Sequence, residues 1–110
     1  MKIAESRGNV FKDIGFDGAE AEELAVKADL VALLMRAIRQ RNLTQLQASR
    51  VCGVDQPTLS KALNGKLGSV TIDRLAKWAV LLGCRVEINV RQPMARRGAY
   101  KGAIRVVRAA

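Results

Sequence analysis

The sequence predicts a mainly α fold, a bundle of five or fewer helices with a short C-terminal β-strand. Apolar residues recur at helical spacing over residues 24–38, and residues that start and stop helices recur between positions 44 and 83. A two-residue period replaces the helical one over residues 84–91. Because 110 residues suffice for one domain with a modest core, we expect a single folded unit.

We divide the chain into an N-terminal segment at residues 1–18, a folded domain at 19–91 and a basic tail at 92–110. An apolar cluster in the first segment could pack on a neighbour, although glycines at 8, 15 and 18 argue against a long regular element. The cluster consists of Val10, Phe11, Ile14 and Phe16.

The first predicted helix is long and amphipathic. Its apolar stripe repeats at steps of four and three residues and comprises Leu24, Ala28, Val31, Met35 and Ile38, with Leu34 beside it. Asp17 with Glu20 could cap its start, where acidic side chains suit the positive end of the helix dipole. Three arginines lie in its last turns, where positive charge complements the negative end of the helix dipole: Arg36, Arg39 and Arg41. Contact with phosphate is the less favoured alternative for them.

Two short helices joined by a tight turn are predicted next. Thr44 and Gln47 fit a capping box at the start of the first, and Gly53 suits the left-handed conformation that ends it. Asp55 is a candidate N-cap for the second, with Pro57 in its first turn, where a missing N–H breaks no helical bond. Asn64 and Gly65 stop this second helix.

A last helix and the strand complete the folded domain. Thr71 is a plausible cap for the helix, Gly83 ends it, and Trp78 near the edge of its apolar face is expected to be partly buried. The strand then alternates apolar residues at 84, 86, 88 and 90 with polar ones. A lone strand is unstable, so its partner must be the N-terminal segment, the tail or the same strand in a second subunit. We place a dimer interface at Val86, Ile88 and Val90 because these residues need cover.

Charge is distributed unevenly along the chain. The formal net charge is +9, but residues 1–30 hold 7 acids and 4 bases, whereas residues 31–110 hold 3 acids and 15 bases. The positive part therefore coincides with the two short helices and everything after them. Such a field attracts polyphosphate and would suit DNA, RNA or an anionic membrane equally well by itself.

Several classes of protein are disfavoured by composition. The chain has no His and only two Cys, so the usual zinc sites cannot be assembled and the commonest general base is missing. We expect no cofactor, no metal and no enzymatic activity. Neither a membrane-spanning run nor a signal peptide is evident, which predicts a cytoplasmic protein without membrane attachment. Cys52 and Cys84 are expected to be reduced and structural.

The polar face of the second short helix is suited to reading DNA. A capped short helix, a glycine turn and an amphipathic second helix describe a helix-turn-helix, whose second helix enters the major groove. Gln can pair with adenine, Lys can donate to guanine, and a Thr methyl can pack on thymine. Four residues are therefore predicted to read bases: Gln56, Thr58, Ser60 and Lys61. Taken singly, each would be an ordinary exposed polar residue; their joint occurrence after these helix signals favours DNA.

This segment closely resembles the helix-turn-helix of the Xre and Cro/C1 repressor family. The matching positions are Leu43, Thr44, Gln45, Gly53, Val54, Gln56, Thr58, Leu59, Ser60, Asn64 and Gly65. The resemblance implies a homodimer on a pseudo-palindromic double-stranded operator, with Thr44, Gln45, Asn64 and Lys66 at phosphates. Ser49 stands where the family usually has Ala, and we expect its hydroxyl to bond a nearby carbonyl. Pro57 replaces a polar residue that often reads a base.

Over residues 8–93 the order of elements is most similar to HigA-type antitoxins of that family. Residues 9–13 (NVFKD) and 82–88 (LGCRVEI) carry this finer likeness. It implies that the protein neutralises a RelE-like ribonuclease toxin of the HigB type and represses the operon they share. The alternative is a stand-alone or phage-derived regulator with no toxin partner.

The tail after Pro93 has five bases and no acid. It would serve either as a flexible arm adding phosphate contacts or as a solvated extension, and residues 103–107 are apolar enough for a short strand or a docked turn.

Overall fold

The computed structural model describes residues 15, 17–93 and 102–107, and the fold is mainly helical, as predicted. Within that part we number four α-helices in chain order. They are α1 (Gly18–Gln40), α2 (Gln45–Cys52), α3 (Gln56–Leu63) and α4 (Ile72–Leu81), with a 3-10 helix (Leu67–Ser69) between α3 and α4. Helix α1 packs mainly on α4, and α2 packs on α3. The predicted apolar cluster at residues 10, 11, 14 and 16 and the tail positions 94–101 and 108–110 lie outside the described residues.

Three of the four predicted helix starts form with the expected side-chain caps. The carboxylate of Asp17 accepts from the N–H of Glu20 at 2.8 Å, and the hydroxyl of Thr71 accepts from the N–H of Arg74 at 3.4 Å. Thr44 and Gln47 form the complete capping box, with bonds of 3.1 and 2.8 Å. Each start is decided by residues three positions apart, which is why the sequence alone could indicate it.

All four helices end in the same way, with a residue of positive φ beyond the last turn. Asn42, Gly53, Gly65 and Gly83 take this conformation. In each case the next N–H closes the helix on a carbonyl five residues back, as from Val54 to Ser49 at 3.0 Å. This closure satisfies carbonyls that a helix end otherwise leaves unpaired. The glycine stops predicted at 53, 65 and 83 are confirmed.

The core lies where the helices meet and draws on every helix. Its largest fully buried side chains are Trp78, Leu34, Leu59 and Leu75. Trp78 is only 2% exposed, so the prediction of partial burial was wrong. Position on one helix cannot show that neighbouring helices close over an edge residue. Met35 is more exposed than predicted: it is 42% exposed although it falls on the predicted apolar stripe of α1.

A lysine is buried between α1 and the 3-10 helix. The Nζ of Lys27 donates to the backbone carbonyl of Leu67 at 3.1 Å, and it lies 3.4 Å from a carboxylate oxygen of Glu23. The side chain of Lys27 is 8% exposed and that of Glu23 is 53% exposed. The charge is therefore satisfied by one buried backbone acceptor and one surface carboxylate, and the link ties α1 to the turn that follows α3.

The predicted C-terminal strand is absent from the described chain. Residues 84–93 have no regular secondary structure, and no strand occurs among the described residues. Ile88 and Val90 are 87% and 84% exposed, and Val86 is 39% exposed. The physical reason is that a strand needs a partner for its N–H and C=O groups, and no described segment of this single chain supplies one. The alternation of apolar and polar residues was the pattern of a half-buried strand, but it does not show whether a second strand is present to pair with it.

The described piece of the tail lies against α1. The N–H of Ile104 donates to the Glu22 carboxylate at 3.4 Å, and Val106 is half-buried. Residues 102–107 form neither the short strand nor the turn expected of them, and five of these six residues are exposed. Arg105 is among the exposed ones.

Candidate nucleic-acid interface

Helix α3 presents one polar strip to solvent and one apolar strip to the core. Leu59 and Ala62 are fully buried. Since successive helical residues turn by about 100°, the side opposite them is centred near Pro57, Asn64 and Lys61. These three residues are exposed, as the rotation requires. Burial of Leu59 and Ala62 on the opposite side therefore determines which side of α3 faces solvent.

The four predicted base-reading residues fall into two groups. Gln56 and Lys61 are exposed, whereas Thr58 and Ser60 are half-buried. The Thr58 hydroxyl donates to the carboxylate of Asp55. The Ser60 hydroxyl accepts from the amide nitrogen of Asn64 at 3.3 Å. Gln56 and Lys61 are thus open to solvent, and the two hydroxyl groups have local partners.

Asp55 does not cap α3 in the predicted way. It stands at the N-cap position with extended backbone, but its side chain makes no hydrogen bond to a backbone N–H of the helix. Its carboxylate accepts from Thr58 instead. The position of the helix start was correct and the expected contact was wrong, because a hydroxyl at the third helical position competes for the same oxygen.

The four residues expected at phosphates lie at the start of α2 and just after the end of α3. Thr44 and Gln45 lie at the start of α2, where Thr44 is exposed and Gln45 half-buried. Asn64 and Lys66 lie just beyond the end of α3 and are both exposed. The backbone N–H of Lys66 closes α3 on the Lys61 carbonyl at 3.0 Å. Helix starts and turns of this kind are where backbone and short polar side chains reach phosphate oxygens.

Helix α2 holds α3 through a close, mostly apolar contact. Ala48 and Ser49 of α2 are buried, and the Ser49 hydroxyl donates to the Leu46 carbonyl at 2.7 Å, as expected for a Ser at this crowded position. Gly53 (φ 70°) and Val54 make the turn between the helices. A small side chain and a satisfied hydroxyl therefore let the two helices approach without leaving a polar atom unpaired.

The helix pair carries an excess of positive charge. Residues 41–66 contain four bases and a single acid, Asp55; the bases are Arg41, Arg50, Lys61 and Lys66. All four basic side chains belong to exposed residues. The exposed strip of α3 therefore sits in a segment that attracts a polyanion.

Arg50 is a candidate that the sequence reasoning did not select. It lies in the last turn of α2, is exposed, and immediately precedes the turn into α3. The sequence signal was a lone base between two small or apolar residues, Ser49 and Val51, which the structure shows as buried and half-buried. Arg41, by contrast, is engaged within the fold: its guanidinium donates to the Leu82 carbonyl at 3.3 Å, at the end of α4. It serves the end of α4 there, whereas the sequence had predicted that it would complement the dipole at the end of its own helix, α1.

No other kind of site emerges from the described residues. Residues 15, 17–93 and 102–107 contain no group of three or more side chains that could hold a metal ion. In the same part of the chain, no helix combines the length and the hydropathy needed to cross a membrane. Burial raises the pKa of the Cys52 thiol, and the nearby Arg41 charge opposes that shift only in part. Cys52 is packed among the core residues and is 5% exposed, which fits a structural role.

Fold and site together define a helix-turn-helix DNA-binding protein. The family described as "Helix-turn-helix domain" matches residues 10–91 of the chain. A solved structure named as an XRE family transcriptional regulator is 32% identical, with a TM-score of 0.71 over 82% of this chain and 99% of its own. No curated protein matches the chain in sequence.

The chain belongs to the XRE family of helix-turn-helix proteins. The resemblance inferred from residues 43–65 is confirmed at that level.

Proposed function

We propose that the protein is a sequence-specific repressor that binds a pseudo-palindromic operator as a homodimer. The observation that carries this is the exposed polar strip of α3, held by α2 in a segment with four bases and one acid. The function is binding rather than catalysis, and it requires no cofactor.

In this proposal Gln56 and Lys61 make the principal base contacts. Both are exposed, and both can hydrogen-bond to base edges in the major groove, Gln to adenine and Lys to guanine. Thr58 and Ser60 contact bases at close range from the edges of the polar strip of α3. Thr44, Gln45, Asn64 and Lys66 hold phosphates on either side, so they set the position of α3 without selecting a sequence.

Two half-sites are expected about 34 to 36 Å apart, or a multiple of that spacing. This geometry needs two copies of the chain, and we assign their contact to Val86, Ile88 and Val90. The exposure of Ile88 and Val90 in the single chain supports that assignment, since large apolar side chains at 87% and 84% exposure favour an interaction surface.

Selection of binding sites from a random duplex pool tests the DNA contacts. Lys61→Ala should change the preferred bases, whereas Asn64→Ala should weaken binding to all sequences alike. Lys77→Ala is the matched control, because Lys77 is an exposed lysine on α4, outside the α2–α3 pair. An unchanged sequence preference in both Gln56→Ala and Lys61→Ala would reject this recognition face.

We further propose that the repressor is the antitoxin of a HigBA-type pair. The support is the likeness of residues 9–13 and 82–88 to HigA-type antitoxins. Its partner would be a small RelE-like ribonuclease encoded beside it, and repression would be exerted on their common operon.

The toxin proposal is tested independently of DNA. Both neighbouring reading frames are coexpressed with the tagged chain, and a small basic ribonuclease should copurify and lose its activity. If neither neighbour binds, the protein acts as a stand-alone regulator, and the DNA-binding proposal is unaffected.

A further inference from the structure

The segment that follows α4 has an amphipathic pattern and no covering element among the described residues. Val80 and Leu81 at the end of α4 are 54% and 42% exposed, and Ile88 and Val90 are still more exposed. Glu87 pairs with Arg85 at 3.1 Å, but these side chains are 70% and 88% exposed. That ion pair is weak enough in water for Glu87 to exchange its partner.

We infer that a second copy of this chain covers the segment by antiparallel strand pairing centred on Asn89. The inference rests on the proposed homodimer and specifies its register. In a two-fold antiparallel pair, each residue lies opposite the residue equally distant from the centre in the other copy. A centre at Asn89 places Ile88 opposite Val90 and Glu87 opposite Arg91, each twice.

Charge complementarity selects this centre over its neighbours. A centre at Ile88 would oppose Arg85 to Arg91 twice, and a centre at Glu87 would oppose that carboxylate to its own copy. A centre at Val90 would place no opposite charges directly across. Like charges directly opposite destabilise a strand pair and opposite charges stabilise it, so the Asn89 register is favoured.

The boundaries of the segment exclude the remaining complementary register. A centre at Val86 would oppose Arg85 to Glu87, but it would also require Leu82 to pair with Val90. Leu82 is the buried C-cap of α4, and the N–H of Cys84 closes that helix on the Ala79 carbonyl at 2.9 Å. Pairing would stop there, and Val90 would stay exposed.

The register also explains why the occupant is a second copy rather than an unrelated strand. Glu87 and Arg91 flank Asn89 symmetrically, so the segment is complementary to itself under a two-fold rotation. The apolar side meets itself in the same way, through Ile88 and Val90. Antiparallel pairing would supply backbone partners to a segment that has no regular structure in the single chain.

Single-cysteine cross-linking measures the centre of the pairing. Cys84 is replaced by Ala, the buried Cys52 is kept, and one cysteine is placed at position 87, 88, 89 or 90 in separate variants. Only the central residue faces its own copy, at a Cα separation of about 4.5 to 5.5 Å, which a disulfide can span. Asn89→Cys should form the covalent dimer under mild oxidation roughly tenfold faster than Ile88→Cys or Val90→Cys.

Charge reversal provides a second, independent measurement by sedimentation. Glu87→Arg and Arg91→Glu should each weaken the dimer, and the double variant should restore it because the opposed charges are again of opposite sign. Fastest cross-linking at any position other than 89, absence of rescue in the double variant, or a wild-type monomer at every concentration would overturn the pairing.

DNA titrations on the same variants separate this inference from the proposed function. A wild-type chain that is monomeric at every concentration yet still selects an operator sequence would refute the strand pairing and leave sequence-specific binding intact. An Asn89→Cys dimer that shows no preference among duplexes would support the pairing and refute the proposed function.

Discussion

Replacing Lys27 with Met should destabilise the fold through one identifiable backbone contact. Met keeps most of the apolar stem but removes the bond from Nζ to the Leu67 carbonyl. Leaving a buried acceptor without its partner costs about 1 to 3 kcal/mol. Because the N–H of Val70 also donates to that carbonyl, at a long 3.4 Å, we expect the lower part of the range, about 1 to 2 kcal/mol.

Urea and thermal unfolding followed by tryptophan fluorescence measure this loss. Trp78 is the one tryptophan in the chain and is buried, so its emission reports the loss of the core. For a domain of this size, 1 to 2 kcal/mol corresponds to a fall in Tm of about 4 to 16 °C.

The surface partner provides the control. Glu23→Gln removes the ion pair with Lys27. The Glu23 side chain is 53% exposed, and an exposed pair contributes about 0 to 1 kcal/mol. Lys27→Met should therefore be clearly worse than Glu23→Gln. Equal effects of the two variants, or a Lys27→Met protein as stable as the wild type, would show that the carbonyl contact does not secure the turn after α3.

Three further outcomes follow from the packing of the helix pair. Leu59→Ala should lose about 2 to 5 kcal/mol of unfolding free energy because its site is fully buried, whereas Leu46→Ala, at an exposed position, should change it by no more than about 0.5 kcal/mol; urea titration would refute this if the two matched. Gly53→Ala should lose about 1 to 2 kcal/mol from its positive φ alone, since no atom lies within 4 Å of the added Cβ, and an unchanged urea midpoint would contradict that. Because burial raises the pKa of Cys52, the unfolded thiol ionises first as pH rises above the ordinary thiol range, so stability should fall with pH between the unfolded and folded pKa values. Cys52→Ala should show a shallower decline in unfolding free energy over that window, and identical slopes would remove the thiol from the account.

The sequence by itself determined the features that depend on residues a few positions apart. The capping box of Thr44 and Gln47, the cap at Asp17 and the stop at Gly53 each involve a bond spanning three to five residues, so spacing was sufficient to predict them. The helix-turn-helix and its polar outer strip followed from the same local signals. Even there, the competition between Thr58 and the backbone for Asp55 became visible only in atomic detail.

Only the tertiary structure decided which side chains the assembled helices enclose. Lys27 can be buried because a carbonyl 40 residues away accepts its hydrogen bond, and Trp78 is buried because other helices close over the edge of α4. The alternating segment 84–91 shows the converse, since its pattern predicted a half-buried strand but residues 85–91 are exposed and form no strand without a partner. Burial and strand pairing depend on groups distant in sequence or on another copy of the chain, and local periodicity carries no information about where those groups lie.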